Sequence, residues 1–170
     1  KDVIASQIKA KGNTQAKGGN RLTLLRDADG DGKYELQTVF AENLNAPYGL
    51  AFADGKLYVA NQDALVRFDY RDGHTKADGP PVKLTDLPAE INHHWTKALT
   101  ISPDGRFLYV GIGSNSNITE RGLEVEIDRA MVWEVDAQTG AHRPYATGLR
   151  NPTALAVQPG TGQLWTVVNE

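Results

Sequence analysis

A chain of 170 residues, 40% hydrophobic and 23% charged, can bury a substantial core and has the make-up of a globular domain or part of one. A net charge of −3 and a pI near 5.8 leave no basic footprint of the kind that phosphate backbones require, so nucleic acid is not an expected partner. No apolar run is long enough for a membrane span, and the absence of cysteine excludes disulfides, zinc thiolates and a thiol nucleophile together.

In chain order, the first residues show no apolar core followed by a small-residue cleavage site, so any secretion signal is expected upstream of Lys1. Val3-Ile4-Ala5 reads as a short strand and the Lys-, Gly- and Asn-rich text up to residue 21 as a loop. Leu22–Arg26 is an apolar strand that runs into Asp27-Ala28-Asp29-Gly30-Asp31-Gly32-Lys33-Tyr34-Glu35. The alternate carboxylates resemble the first half of an EF-hand calcium loop. The twelfth position, however, is Thr38 and no helix flanks the loop, so a tight hairpin turn built on Asp and Gly is the preferred reading.

Three segments then repeat one pattern: an apolar strand, a Gly-containing turn, and a second strand with an aromatic residue at the matching place. They begin at Pro47, Lys97 and Pro152. Leu50, Leu99 and Leu155 are 49 and 56 residues apart (50 to 99 to 155), and Tyr58, Tyr109 and Trp165 are 51 and 56 apart. Ala64–Asp69 and Ala130–Asp136, read as the outer strands of their blades, also correspond, both ending in Asp before a glycine turn, and Leu22–Asp27 fits the same slot. A period near fifty residues made only of short strands predicts an all-β fold, a β-propeller, with blade portions at about 1–40, 41–87, 88–147 and 148–170. That is about three blades, so the chain is expected to be a stretch of a larger propeller and to lack activity in isolation. No capped 3.6-residue periodicity predicts a long helix. Residues 114–129, polar and charged, read as a loop inserted on the face where sites sit.

Two polar clusters stand at equivalent points, ahead of the inner strands of successive units: Asn92-His93-His94-Trp95-Thr96-Lys97 and Leu149-Arg150-Asn151-Pro152. With Ser102-Pro103-Asp104-Gly105-Arg106, Gly113-Ser114-Asn115-Ser116-Asn117 and Leu164-Trp165-Thr166-Val167-Val168-Asn169-Glu170, they resemble the pyrroloquinoline-quinone-dependent sugar dehydrogenases of the soluble glucose dehydrogenase and sorbosone dehydrogenase family, six-bladed propellers. The resemblance runs over residues 22–170. It implies that His94 is the general base that takes a hydroxyl proton while hydride leaves the same carbon for the quinone, a task suited to an imidazole near its ordinary pKa of about 6.5. Arg150 would bind the quinone oxygens and stabilise developing charge, and Asn151 would hold cofactor or substrate.

His93 and Lys97 complete the implied cofactor contacts. His93, however, stands where the soluble glucose dehydrogenase places an acidic partner for its base, which leaves the orientation of His94 open, and Thr153 replaces a cofactor-touching glutamine. Lys97 can be read either as pointing into the channel or as pairing with a carboxylate, and Trp95 as a packing residue at the channel mouth. The family's calcium ligands begin at the positions of Asn169 and Glu170. The implied partners are a sugar, polyol or aldehyde hydrate and an external electron acceptor, and the implied location is the periplasm or the cell exterior. Two other readings compete. One is a calcium-dependent lactonase on a similar propeller, for which Asn61, Asn169 and Glu170 are the available ligands. The other is a propeller that only presents loops to a binding partner. His74 and His142 lie in polar text and read as surface turn residues. Gly111-Ile112-Gly113 lacks the third glycine and helix of a dinucleotide fingerprint.

Overall fold

The computed structural model describes residues 19–169; the strand expected at Val3-Ile4-Ala5 and the candidate ligand Glu170 lie outside the described residues. Twelve strands form four antiparallel sheets. The first pairs β1 (Leu22–Arg26) with β2 (Leu36–Ala41). The second is a four-stranded meander of β3 (Gly49–Ala53), β4 (Lys56–Ala60), β5 (Ala64–Asp69) and β6 (Val82–Asp86). The third repeats it with β7 (Leu99–Ile101), β8 (Phe107–Ile112), β9 (Met131–Asp136) and β10 (His142–Thr147). The fourth pairs β11 (Pro152–Val157) with β12 (Leu164–Val168). Two complete blades flanked by two half blades amount to about three blades of a β-propeller, the all-β architecture that the fifty-residue repeat predicts. The one helical turn among the described residues is a 3-10 segment, Glu124–Glu126, and no helix among them is long and apolar enough to cross a membrane.

The period-2 alternation of the strands builds the cores between blades. In the second sheet Leu57, Val59, Ala64, Val66 and Phe68 point to one side and pack against Phe40, Ala41 and Leu44 of the first blade. The alternate residues Tyr58, Ala60 and Leu65 point the other way, against Leu99, Leu108, Val110, Ile112, Trp133 and Val135 of the third sheet. The repeat is true to a single residue of register: Tyr58, Tyr109 and Trp165 each lie across from the residue that follows Leu50, Leu99 and Leu155.

Close backbone approach sets the order of the blades. A Cβ on Gly49 would sit 2.5 Å from the Lys97 carbonyl, and one on Gly111 would sit 2.6 Å from the Pro152 carbonyl, so glycine is what lets adjacent blades touch. Gly49 opens β3 and Lys97 lies two residues before β7, so the starts of the inner strands lie together at one end of the sheets. Asp54 and Gly105 meet at the other end.

The turn at Asp27 is a hairpin, as preferred from sequence. Asp27 accepts the backbone N–H groups of Gly30 (2.7 Å) and Gly32 (2.9 Å), which hold its carboxyl below the usual range, with Gly32 the larger contributor. Asp136 closes the equivalent turn through Gln138 and Thr139. His142, expected in a turn, instead opens β10 and stacks on Trp133 with ring centroids 4.0 Å apart.

Candidate active site around His94

The site forms where the inner strands begin. Ile91 and Asn92 are both left-handed (φ 61° and 50°), an uncommon conformation for a β-branched residue, and they bend the chain sharply into the 92–97 segment. His94 is then held against the end of β8. Its backbone N–H donates to the Ser114 carbonyl at 3.3 Å, and its Nδ1 lies 2.9 Å from that carbonyl and 3.0 Å from Ser114 Oγ. Ser114 Oγ gives its own proton to the Ser116 carbonyl at 2.5 Å, so both Ser114 oxygens face the imidazole as acceptors. Nδ1 therefore carries the proton and Nε2 keeps a free lone pair, the tautomer a base needs. Burial is the main influence on His94, pressing its pKa below the ordinary histidine value. The Ser114 carbonyl opposes this, the charges of Arg150 and His93 add to it, and Glu126 opposes it.

Gly113 is the pivot of this strap. A Cβ there would lie 2.5 Å from His94 Cβ and 2.6 Å from Asn151 Oδ1. Gly113→Ala is expected to cost about 1–3 kcal/mol through overpacking, read by urea unfolding, and to displace the His94 resonances in NMR. Unchanged stability together with an unchanged His94 spectrum would show that the strap yields freely.

Arg150 stands across from His94 at the start of the next blade. Its Nε donates to the Asn117 carbonyl (3.0 Å), Nη2 to Asn117 Oδ1 (2.5 Å) and Nη1 to the Asn169 carbonyl (2.9 Å). Three of the five N–H groups of a guanidinium are thereby used, which fixes its plane and leaves two without a partner among the described residues, available to an anionic ligand. Asn151 is buried at 7% exposure and its Oδ1 has no partner among the described residues. His93 is exposed, its ring edge-on to that of His94 at 4.8 Å, and its N–H faces Asn115 Oδ1 at 3.4 Å. Trp95 is half exposed and meets Tyr48 of the preceding blade edge-to-face at 5.9 Å.

Lys97 faces neither the channel nor a carboxylate. It is fully buried, and its ammonium donates to Asn92 Oδ1 (3.0 Å) and the Trp95 carbonyl (3.1 Å), tying down the segment that carries His94. Burial lowers its pKa to about 7, Arg129 pushes the same way, and Asp63 opposes. Arg129, also buried, donates to the Gly113 and Glu90 carbonyls (both 3.1 Å) and shares Asn92 Oδ1 at 3.3 Å. The structure thus brings together His93, His94, Arg150 and Asn151 and turns Lys97 away. It adds Ser114, Arg129 and Glu126, residues that sequence reasoning had left inside a polar loop.

Asn169, half of the expected metal pair, is engaged through its backbone, its N–H on the Asn151 carbonyl and its carbonyl on Arg150. The metal-compatible group found among the described residues lies elsewhere. Asp27, Asp29, Asp31 and Glu35, all exposed, bring ligand oxygens within 4.8 Å of one another on the β1–β2 hairpin. Glu35 at the ninth loop position supplies the carboxylate that Thr38 cannot, and its Oε2 also accepts the Ala28 N–H at 2.8 Å. This hairpin follows the end of β1, in the slot that Asp69 and Asp136 occupy in the next blades, at the opposite end of the strands from His94.

A family model described as "Domain of unknown function (DUF7133)" matches residues 6–158. The chain belongs to that family. No curated protein matches the sequence. Among solved structures, the DUF7133 chain is similar to Trichoderma reesei Carbohydrate-Active Enzymes Family AA12 in its iodide and calcium structures, each at a TM-score of 0.68 and 20% identity over 88% of this chain and 40% of that one. It is also similar to the holo form of the pyranose dehydrogenase PQQ domain from Coprinopsis cinerea (TM-score 0.64, 15% identity, 89% of this chain and 48% of that one). A luciferin-regenerating enzyme superposes at 0.57 with 14% identity, over 78% of this chain and 40% of its own. The DUF7133 chain spans less than half the length of these proteins, and at such identities the likeness is one of fold.

Proposed function

We infer that this DUF7133 chain contributes one side of the active site of a quinone-dependent dehydrogenase that oxidises a sugar, polyol or aldehyde hydrate. The observation that carries the reading is the pairing of an Nδ1-protonated His94, its Nε2 without a partner among the described residues, with an anchored Arg150 whose carbonyl accepts the N–H of the same Ser114 that holds the imidazole. The neighbouring Coprinopsis cinerea protein is a PQQ domain, which supports the choice of quinone.

The residues present suit such a group. Two guanidinium N–H groups without a partner among the described residues match an anionic, oxygen-rich ring system, and the unpartnered Asn151 Oδ1 adds an acceptor for a hydroxyl or N–H beside them. Pyrroloquinoline quinone, when bound, supplies a two-electron acceptor for hydride. Arg150 would hold its oxygens, and Asn151 Oδ1 would accept from a cofactor or substrate N–H or O–H. His94 Nε2 would accept the substrate hydroxyl proton, and the Ser114 carbonyl would keep accepting the Nδ1–H hydrogen bond of the resulting imidazolium. The half-buried setting makes His94 neutral at neutral pH, ready to receive that proton.

The test uses the full-length protein. Added pyrroloquinoline quinone is expected to change its ultraviolet spectrum on binding and to support dye reduction with aldoses. No binding, and no turnover with any sugar or polyol, would overturn the reading. Lactone hydrolysis abolished by chelator and indifferent to quinone would point instead to a lactonase, although the carboxylate cluster found among the described residues is at the far end of the strands from His94.

A further inference from the structure

We propose that Glu126 is the positioning acid for His94, acting through the 114–116 segment. This rests on the reading of His94 as the base. Among the described residues His94 touches no carboxylate; its imidazole partner is Ser114. The carboxylate comes one step further out. Glu126 Oε2 accepts the Asn115 backbone N–H at 2.8 Å, and Oε1 accepts a short bond from Ser116 Oγ. Ser114, Asn115 and Ser116 are all at least nine-tenths buried, so these bonds form where water competes little.

The consequence is directional. Glu126 fixes the peptide following Ser114 and the hydroxyl of Ser116, and the Ser116 carbonyl in turn orients Ser114 Oγ by accepting its proton. With that hydrogen directed away from the ring, Ser114 can only accept from His94, and Nδ1 must hold the proton. Arg129 closes the frame from the other side, on the Gly113 carbonyl. The backbone N–H of Arg129 also donates to the Glu126 carbonyl at 3.1 Å. Glu126 is a carboxylate whose charge favours the imidazolium, against the charges of Arg150 and His93. Its sequence position, inside a polar insert and remote from the histidine pair, conceals this relation.

The experiment is 15N NMR of histidine-labelled full-length protein without quinone or sugar, with a His94→Gln variant to assign the resonances. Wild type is expected to show a dominant Nδ1–H tautomer. Glu126→Gln keeps the shape but presents an amide where the charge was. It is expected to weaken the Nδ1–H bias without abolishing it, since the Ser114 carbonyl still accepts, to move the His94 titration to lower pH because the imidazolium loses a stabilising charge, and to lower kcat about tenfold with KM little changed. Glu126→Asp is expected to restore part of the tautomer bias. Should Glu126→Gln not fold, Ser116→Ala removes only the bond to Oε1 and is expected to shift the tautomer in the same sense. An unchanged tautomer ratio and titration in a folded variant would overturn the proposal. Because the NMR readout needs no cofactor, failure of quinone binding would remove the functional reading and leave this result standing on its own.

Discussion

Replacing His94 with glutamine is expected to lower kcat for quinone-dependent sugar oxidation by about 10²–10⁴-fold, the range for losing a positioned general base. Quinone binding should survive, because Arg150 takes its own support from Asn117 and Asn169 and not from the histidine. The wild-type pH profile follows from the same site. The base works unprotonated, so kcat/KM must rise with pH as His94 loses its proton. Burial, reinforced by Arg150 and His93, outweighs the Ser114 carbonyl and Glu126, so the midpoint of that rise should fall on the acid side of 6.5. Stopped-flow turnover across the acid range tests both statements. Full activity in His94→Gln, or a midpoint on the alkaline side of 6.5, would remove His94 from the role of base.

The second large effect concerns stability. The buried Lys97 ammonium titrates at about 7 in the folded protein and near 10.5 when unfolded. Between these values the unfolded chain holds a proton that the folded chain has released, so unfolding free energy must increase with pH in that window. The limit is about 1.4 kcal/mol per pH unit for one proton. Below about pH 7 both states bind the proton, the penalty of burying the charge is present in full, and this source of slope disappears. Lys97→Met fits the same space without a charge and is expected to be flatter than wild type across the window. Urea unfolding of both proteins at several pH values above neutrality decides it, since other ionisable groups contribute equally to the pair. Parallel pH dependences would mean that the ammonium finds solvation or a counter-charge in solution.

The inner and middle strands were legible because burial on both faces writes apolar runs into the sequence. Tyr58 and Leu57, for instance, sit side by side yet serve opposite cores. The outermost strands were not, and Ala64–Asp69 and Ala130–Asp136, which read as outer strands, are the third of four, with β6 and β10 outside them. Val82-Lys83-Leu84-Thr85-Asp86 and His142-Arg143-Pro144-Tyr145-Ala146-Thr147 are largely exposed and carry the charges and proline tolerated at a sheet edge. At the site, the histidine and arginine clusters stood out by residue type and by their recurrence ahead of inner strands. What lay hidden were partnerships that depend on register. Ser114 meets His94 only because β7 and β8 run antiparallel, with Leu99 across from Val110, which returns the chain to its starting end. Lys97 misled for a different reason. A charged residue two positions before an apolar strand normally reaches solvent, and only the carbonyl of Trp95 and the amide of Asn92, supplied by a left-handed turn, make its burial tolerable.

Most of the groups that grip the Nδ1 side of His94, and that brace those groups, come from one unbroken stretch, residues 113–129 between β8 and β9, while the Arg150 carbonyl holds the Ser114 N–H from the next blade. The imidazole itself rides on another segment. The propeller therefore separates the reagent from its adjustment, as a lathe separates cutter from tool post. Exchanging that single connection between related chains would alter the basicity and aim of the same histidine without disturbing a strand of the ring.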